Sequence, residues 1–324
     1  MKVSLSVMCF LGMLSVASSP KATERPNLPL KPAMTVINQS QPTVIKDISL
    51  HPAVNHESWY LSGLVENEQA ERFAYYFVVH RNKEHFSYFT QLISMQTGLP
   101  IFQSSDKADI SLATRLGINF KIGEGFLRYN EISDSWLFGV DTKKGFNLRV
   151  ESAPMKAHEV SHLNKVSFYI LQSKRVNGQI SKENKPEFVT SSNAWIAHQW
   201  QEAAPEKNIM IERLLCRFYD NQGVMMVRAR KGGDVVYSNA DLLDRFGESH
   251  AVSQFSFISQ TNKTSWEVKL VSPKKNFDIS TVEPFQVTQK NAGTDYYLGL
   301  VKEPSKKENI GSCMIIKEYS SPEK

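Results

Sequence analysis

The chain has 324 residues, more than one ordinary domain, so we expect two domains of roughly 130 to 150 residues each. Its composition, 41% hydrophobic and 22% charged, is that of a globular protein and excludes a disordered or low-complexity chain. The net charge of +5 is scattered along the chain. It forms no basic stripe with interleaved aromatic residues, which excludes nucleic acid as an expected partner.

The first 18 residues, MKVSLSVMCFLGMLSVAS, have the pattern of a secretory signal peptide. A lysine precedes an apolar run from Val3 to Val16, and small residues favour cleavage after Ala17 or Ser18. The run is too short for a convincing transmembrane helix. We therefore expect a periplasmic or secreted protein that makes at most peripheral contact with a membrane.

The cysteines leave two alternatives open. Cys9 lies in the signal peptide, so the mature chain keeps Cys216 and Cys313. Export permits a single disulfide between them, and two buried free thiols fit the sequence equally well.

Residues 19–50 form a proline-rich leader ahead of two predicted domains, 51–200 and 201–324. Residues 58–65 and 72–80 predict a β-hairpin. Further predicted strands cover residues 85–95, 118–125, 126–132, 135–141, 145–152, 208–219, 224–231, 253–260, 265–272 and 311–320. Helical periodicity is limited to two modest candidates, near 157–163 and at 239–247. Short strands at this spacing predict an all-β protein built from sandwiches or barrels.

The pentapeptide HEVSH, His158 to His162, satisfies the zinc-binding pattern H-E-x-x-H. That pattern needs a helix and a third ligand. Pro154 stands just before the pentapeptide and a β-rich segment follows it, so only about two helical turns would fit. We predict neither a metal nor a cofactor, and name His158 and His162 as the candidate ligands if zinc is bound.

The segment SSNAWIAHQW, residues 191–200, concentrates large side chains in a predicted strand. Because side chains alternate along a strand, Ile196, His198 and Trp200 point to one face, and Trp195 points to the other. The first face would line an apolar pocket with one polar group. Ordinary core packing is the alternative.

Four segments in order resemble the carotenoid 1,2-hydratase (hydroxyneurosporene synthase) and AttH-like family: HESWYLSGLV, RFAYYFVVHR, VSFYILQSKRVNG and NAWIAHQW. The closing strand GSCMIIKEY is similar too, so the resemblance covers about residues 51–320. It implies two tandem lipocalin-like β-barrels and a hydrophobic small molecule as ligand or substrate. The residues that match its motifs are Glu57, Trp59, Tyr60, Arg81, Tyr169, Arg175, Trp195, His198 and Trp200.

The sequence departs from this pattern beside the histidine. Ala197 and Gln199 stand where the motif has Asp and Glu. Hydration of an unactivated alkene needs a strong proton donor, such as a carboxylic acid whose pKa is raised by burial. An acid on another strand, such as Glu212, would have to take that role.

We therefore expect an exported lipocalin-like protein that binds a lipid, an isoprenoid or a polyketide-like compound in a barrel. The His198 face is expected to look into the interior near the junction of the two domains, where Trp59 could meet it. The catalytic candidates are His198 and Glu57, and the ligand-binding candidates are Trp59, Tyr60, Tyr169, Trp195 and Trp200.

Three alternatives stay open, as does the oligomeric state. One is an active hydratase, isomerase or cyclase of the carotenoid 1,2-hydratase type. Another is a non-catalytic envelope protein with filled barrels. The third is a zinc hydrolase that uses His158, Glu159 and His162.

Overall fold

The computed structural model describes residues 48–112, 117–152, 161–163, 165–192, 194–201, 208–246, 248–252, 254–259, 266–271, 276–282, 286–291, 294–303 and 306–319. Within these ranges no residue is helical, and no helix is present that could cross a membrane. The strands, β1 to β22, form two antiparallel sheets that belong to one compact unit. The prediction of an all-β fold is confirmed.

The first sheet contains the first twelve strands and is nearly closed. The strands are β1 (His56–Asn67), β2 (Arg72–Asn82), β3 (His85–Ser94), β4 (Pro100–Asp109), β5 (Asn119–Ile122), β6 (Gly125–Asn130), β7 (Ser135–Val140), β8 (Phe146–Ser152), β9 (Ser161–Leu163), β10 (Val166–Lys182), β11 (Lys185–Ser191) and β12 (Ala194–Gln201). Their order is β4-β3-β2-β1-β11-β10-β8-β7-β6-β5, and β9 pairs with β10. Strands β11 and β12 lie one after the other between β1 and β10, so β12 is flanked by both.

The second sheet is a half-barrel. Its strands are β13 (Ile209–Phe218), β14 (Gly223–Lys231), β15 (Asp234–Leu243), β16 (Ser249–Ala251), β17 (Gln254–Ser259), β18 (Trp266–Val271), β19 (Asn276–Thr281), β20 (Gln286–Asn291), β21 (Thr294–Glu303) and β22 (Lys306–Tyr319). Their order is β16-β15-β14-β13-β22-β21-β19-β18-β17, and β20 pairs with β21. The exact domain limits at residues 200 and 201 stay a prediction.

Three apolar clusters occupy the two interiors and the interface between the sheets. Trp59 and Leu61 on β1 belong to the cluster inside the first sheet. Their neighbours Tyr60 and Leu64 belong to a cluster that contains residues of both sheets. Strand β1 is therefore buried on both faces, and ten of its twelve residues are buried. A third cluster lies in the interior of the second sheet.

The structure corrects the two helical candidates. Most of residues 239–247 belongs to β15, where Ala240 and Leu242 alternate into the interior of the second sheet. Of the candidate near 157–163, the part Ser161–Leu163 is β9, and residues 157–160 lie outside the described residues. Short apolar runs fit both periods, and here pairing with neighbouring strands decides the outcome.

The structure also resolves the alternatives for the cysteines. Cys216 on β13 and Cys313 on β22 are direct partners in the ladder, and a disulfide joins them across a Cα–Cα distance of 4.1 Å. Both are buried in the interior of the second sheet.

We expect this disulfide to stabilise the fold, because it closes a loop with a sequence separation of 97 residues. Replacing both cysteines by alanine should lower the free energy of unfolding by about 2–5 kcal/mol, measured by urea denaturation. Wild-type protein unfolded without reductant should not react with a maleimide at either position. Labelling of both thiols under those conditions would contradict the assignment.

Candidate functional site

The central residue of the site is His198, on β12 between two neighbouring strands. The ladder registers place Trp59 of β1 on one side of His198 and Tyr169 of β10 on the other. Residues that are direct partners in neighbouring strands point to the same face. All three therefore face the interior of the first sheet, where His198 is 0% exposed.

Glu57 places a buried carboxylate beside this row. Its Oε2 accepts a hydrogen bond from Arg81 Nε at 3.0 Å, and Arg81 Nη2 lies 2.8 Å from the same oxygen. Its Oε1 lies 2.9 Å from His198 Nε2 and 2.9 Å from His51 Nδ1. The backbone N–H of His51 also donates to Oε1, at 3.2 Å. The side chains of Glu57 and Arg81 are both 0% exposed, so this ion pair is shielded from water.

These contacts hold Glu57 in its ionised form. Burial alone would raise the pKa of the carboxyl. Hydrogen bonds from His198 and His51, together with the charges of His198 and Arg81, lower the pKa by more than burial raises it. The resulting pKa is about 2, against an ordinary value of 4.5. Glu57 is thus the opposite of the raised-pKa acid that hydration of an unactivated alkene requires.

An ionised Glu57 fixes the direction of the neighbouring hydrogen bonds. A carboxylate only accepts, so His198 donates through Nε2–H and His51 donates through Nδ1–H. The other ring nitrogen of His198, Nδ1, lies 3.1 Å from the hydroxyl of Tyr169. In a neutral His198 this nitrogen is an acceptor, and Tyr169 donates to it. The three side chains form a continuous chain from hydroxyl to imidazole to carboxylate.

Aromatic stacking fixes the orientation of both imidazole rings. The ring of His198 stacks on Trp59, with centroids 5.0 Å apart, and the ring of His51 stacks on Trp200 at 4.0 Å. His51 precedes β1, and its carbonyl accepts a hydrogen bond of 2.7 Å from Arg81 Nη2. This hydrogen bond holds the segment around His51 against the Glu57–Arg81 ion pair.

Several polar atoms inside the first sheet have no hydrogen-bond partner among the residues that the structure describes. They are Nε1 of Trp59, Oη of Tyr75 and Nε1 of Trp136, all in side chains of the interior cluster. A buried donor without a partner costs about 1–3 kcal/mol, and such groups often mark water or a ligand. Trp59 is the one in contact with His198.

Among the described residues, two groups of side chains have donor atoms close enough to share a metal ion. The first is His51, Glu57 and His198, whose donor atoms lie within 4.8 Å of one another. The second is Asp244, Glu248 and His250, near β16. In the first group, hydrogen bonds already link the three donors, and a guanidinium holds the second carboxylate oxygen. This arrangement fits an anchored imidazole better than a cation site.

The zinc pattern falls partly outside the described residues. His158 and Glu159 belong to residues 153–160, which are not described, and His162 lies in strand β9. Because His162 is in an extended strand, it lacks the helical backbone that the pattern needs.

Two predicted ligand-binding residues lie on the other face of the sheet. Tyr60 and Trp195 belong to the interface cluster. The hydroxyl of Tyr60 lies 3.4 Å from Glu318, and the indole N–H of Trp195 donates to the carbonyl of Cys216 at 2.9 Å. It is this face that meets the second sheet, and the His198 face does not. Their role as ligand contacts stays a prediction.

The two motif positions without carboxylates also turn away from His198. Ala197 belongs to the interface cluster, and the amide of Gln199 donates to Glu318 of the second sheet. Their replacement therefore removes no acid from the interior of the first sheet. Glu212, the proposed substitute acid, lies in the second sheet beside Arg228, and Arg175 is exposed on β10.

Two members of the site were not assigned a role from sequence. No sequence motif includes His51, and only its contact with Glu57 reveals its place. Arg81 was matched to a motif, but its pairing depends on the β1–β2 register, which sets it opposite Glu57.

The chain has no match among protein-family profiles or curated proteins. Its fold is similar to that of an AttH-like protein from Nitrosomonas europaea, with a TM-score of 0.66 and 13% identity over 89% of this chain and 99% of that one. It is also similar to kievitone hydratase from Nectria haematococca, with a TM-score of 0.65 and 12% identity over 88% of this chain and 95% of that one. The two sheets are accordingly two lipocalin-like barrel domains in tandem.

We expect loss of the Glu57–Arg81 ion pair to lower the stability of the protein substantially. Arg81→Met leaves a buried carboxylate without its guanidinium, which should lower the free energy of unfolding by about 3–5 kcal/mol. Lys121→Met is the matched control, because Lys121 pairs with Asp141 across exposed side chains. Its cost should stay below about 1 kcal/mol. Equal losses in urea denaturation would show that burial of the first pair does not matter.

The lowered pKa of Glu57 also predicts acid sensitivity. Between pH 4.5 and about 2 the unfolded chain binds a proton at this residue and the folded chain does not. Stability from the ionised group is therefore complete above about pH 5 and is lost as the pH falls towards 2, by about 3 kcal/mol in total. Glu57→Gln should flatten the stability profile in this window, whereas Glu131→Gln, at an exposed position, should leave it unchanged. Parallel profiles for wild type and Glu57→Gln would refute this assignment.

Proposed function

We propose that the first barrel binds an apolar small molecule and that Tyr169 and His198 transfer a proton to or from it, in a reaction of the hydratase or isomerase type. The observation that carries the proposal is the hydrogen-bonded chain Tyr169–His198–Glu57 inside an otherwise apolar interior. Such a chain costs stability to bury and contributes little to packing, which is typical of a functional site.

In this proposal the three side chains have different tasks. Tyr169 is the residue that meets the ligand, since its ring belongs to the interior cluster and its hydroxyl lies at Nδ1 of His198. His198 takes up or supplies the proton through Nδ1 and shares any positive charge with Glu57 through Nε2. Glu57 and Arg81 are positioning residues, because Glu57 holds His51 and His198 through one oxygen while Arg81 holds its other oxygen.

The acidity of these groups limits the substrate. A phenol and an imidazole are too weak to protonate an isolated double bond, and an ionised Glu57 has no proton to give. A double bond conjugated to a carbonyl or phenol group fits, because its oxygen carries the developing charge. The unpartnered N–H of Trp59 is placed beside His198, where it can donate to such an oxygen. The name of the structural relative kievitone hydratase supports a reaction of the hydratase type.

We also infer that the protein is exported to the periplasm or secreted. The inference rests on the signal-peptide pattern of residues 1–18. The disulfide between Cys216 and Cys313 supports it, because disulfides persist in oxidising compartments.

The test starts with protein purified from the organism that makes it. Native mass spectrometry should show an excess mass that denaturation releases and an organic solvent extracts. Incubated with this ligand in D₂O, the protein should introduce deuterium at carbon. Tyr169→Phe should bind the ligand but lose about 100-fold or more of the exchange rate. Tyr88→Phe is the matched control, since its hydroxyl instead contacts Ser104.

Each other outcome removes part of the proposal. No excess mass, even after incubation with lipid extract, would favour filled barrels without a ligand. A bound ligand without deuterium exchange would leave binding and refute catalysis. Equal losses in Tyr169→Phe and Tyr88→Phe would refute the role of Tyr169. Bound zinc would overturn the proton relay.

A further inference from the structure

The interior of the second sheet contains a charged row of its own. Glu212 on β13 has Arg228 of β14 and Lys317 of β22 as its direct partners. Glu212 shares its face of β13 with Leu214 and Cys216, which belong to the interior cluster. The row therefore faces the interior of the half-barrel.

Positive charge exceeds negative charge in this row. Arg228 Nη2 lies 2.5 Å, Arg230 Nε 3.6 Å and Lys317 Nζ 3.5 Å from the carboxylate of Glu212. Three cations thus surround one carboxylate. Asp295 on β21 is the ladder partner of Lys317, and counting it still leaves a net charge of +1 among these described side chains.

The excess charge is held away from water. The side chains of Arg228 and Lys317 are 7% and 12% exposed, and burial lowers the pKa of each. Nε of Arg230 is a buried atom that lies 3.6 Å from Glu212 and has no hydrogen-bond partner among the described residues, while the Arg230 side chain as a whole is 33% exposed. A donor in this state is poised for an anion that enters from the side of Arg230.

Apolar residues continue the interior beyond the charged row. Leu214, Met226 and Ile315 lie two residues along their strands from Glu212, Arg228 and Lys317 and belong to the interior cluster. The interior therefore offers a cationic end and an apolar body, which match an acid head and a hydrocarbon tail.

We propose that the second half-barrel binds an amphipathic anion, with its carboxylate or phosphate monoester held by Arg228, Arg230 and Lys317. The site is separate from the Tyr169–His198–Glu57 chain and does not depend on the function proposed for it. Glu212 orients the three cations and limits their charge.

The experiment uses the full mature chain and isothermal titration with dodecanoate, dodecyl phosphate and dodecanol. Both anions, or one of them, should bind at least about tenfold more tightly than the alcohol, and added salt should weaken only the anions. The preferred anion identifies the head group. Arg230→Gln should lower anion affinity about tenfold or more and leave dodecanol binding unchanged.

Lys231→Gln is the matched control, because it removes one positive charge from the next residue, which is exposed. It should leave anion affinity unchanged. Glu212→Gln should keep or raise the affinity, since it removes a competing carboxylate, whereas a purely structural cluster would only lose thermal stability. Thermal melts of all variants separate binding from folding, and Arg230→Gln carries the test if Glu212→Gln does not fold.

Other results would overturn the proposal. Equal affinity for dodecanoate, dodecyl phosphate and dodecanol would show that the cluster does not recognise an anion. The same loss in Arg230→Gln and Lys231→Gln would reduce the effect to general surface charge. Weakening by Tyr169→Phe but not by Arg230→Gln would place the ligand in the first barrel, which overturns this site and leaves the function proposed for the first barrel intact.

Discussion

The site in the first barrel depends on the buried ion pair of Glu57 and Arg81. A carboxylate removed from water costs several kcal/mol unless charge and hydrogen bonds compensate it. Here a guanidinium takes one oxygen, and two imidazoles with a backbone N–H take the other. Because those imidazole nitrogens must donate, the second nitrogen of His198 is left for Tyr169. The ion pair therefore sets the proton arrangement of the whole chain.

The two barrels use one architectural device for different chemistry. In each, a central strand places a polar residue between two neighbours in register: His198 between Trp59 and Tyr169, and Glu212 between two cations. The first barrel balances its carboxylate with donors and surrounds it with aromatic rings. The second carries more cations than carboxylates. The first interior is therefore suited to proton transfer and the second to holding an anion.

The sequence was sufficient to predict most strands and part of the candidate site in the first sheet. Period-two alternation predicts that His198 and Trp200 share a face, and the structure places both in the interior of the first sheet. The same alternation, applied to Ala197 and Gln199, would have shown that the motif carboxylates face away from His198. Alternation does not say which face is interior, and it does not give register between strands. The contacts of His51 and Arg81 with Glu57 depend on both, so sequence alone could not supply them.

The wall between the barrels explains why their sites are separate. Strand β12 points His198 into the first interior and Trp195 out towards β13, where the indole N–H donates to the carbonyl of Cys216. Strand β13 in turn points Cys216 and Glu212 into the second interior. One buried layer of side chains thus joins the two strands that carry His198 and Glu212. Because this layer separates the two polar rows, the effects of substitutions in one row should add to those in the other with little coupling. A wall that stabilises both sheets while keeping their polar groups apart permits two ligands of different chemistry in one chain.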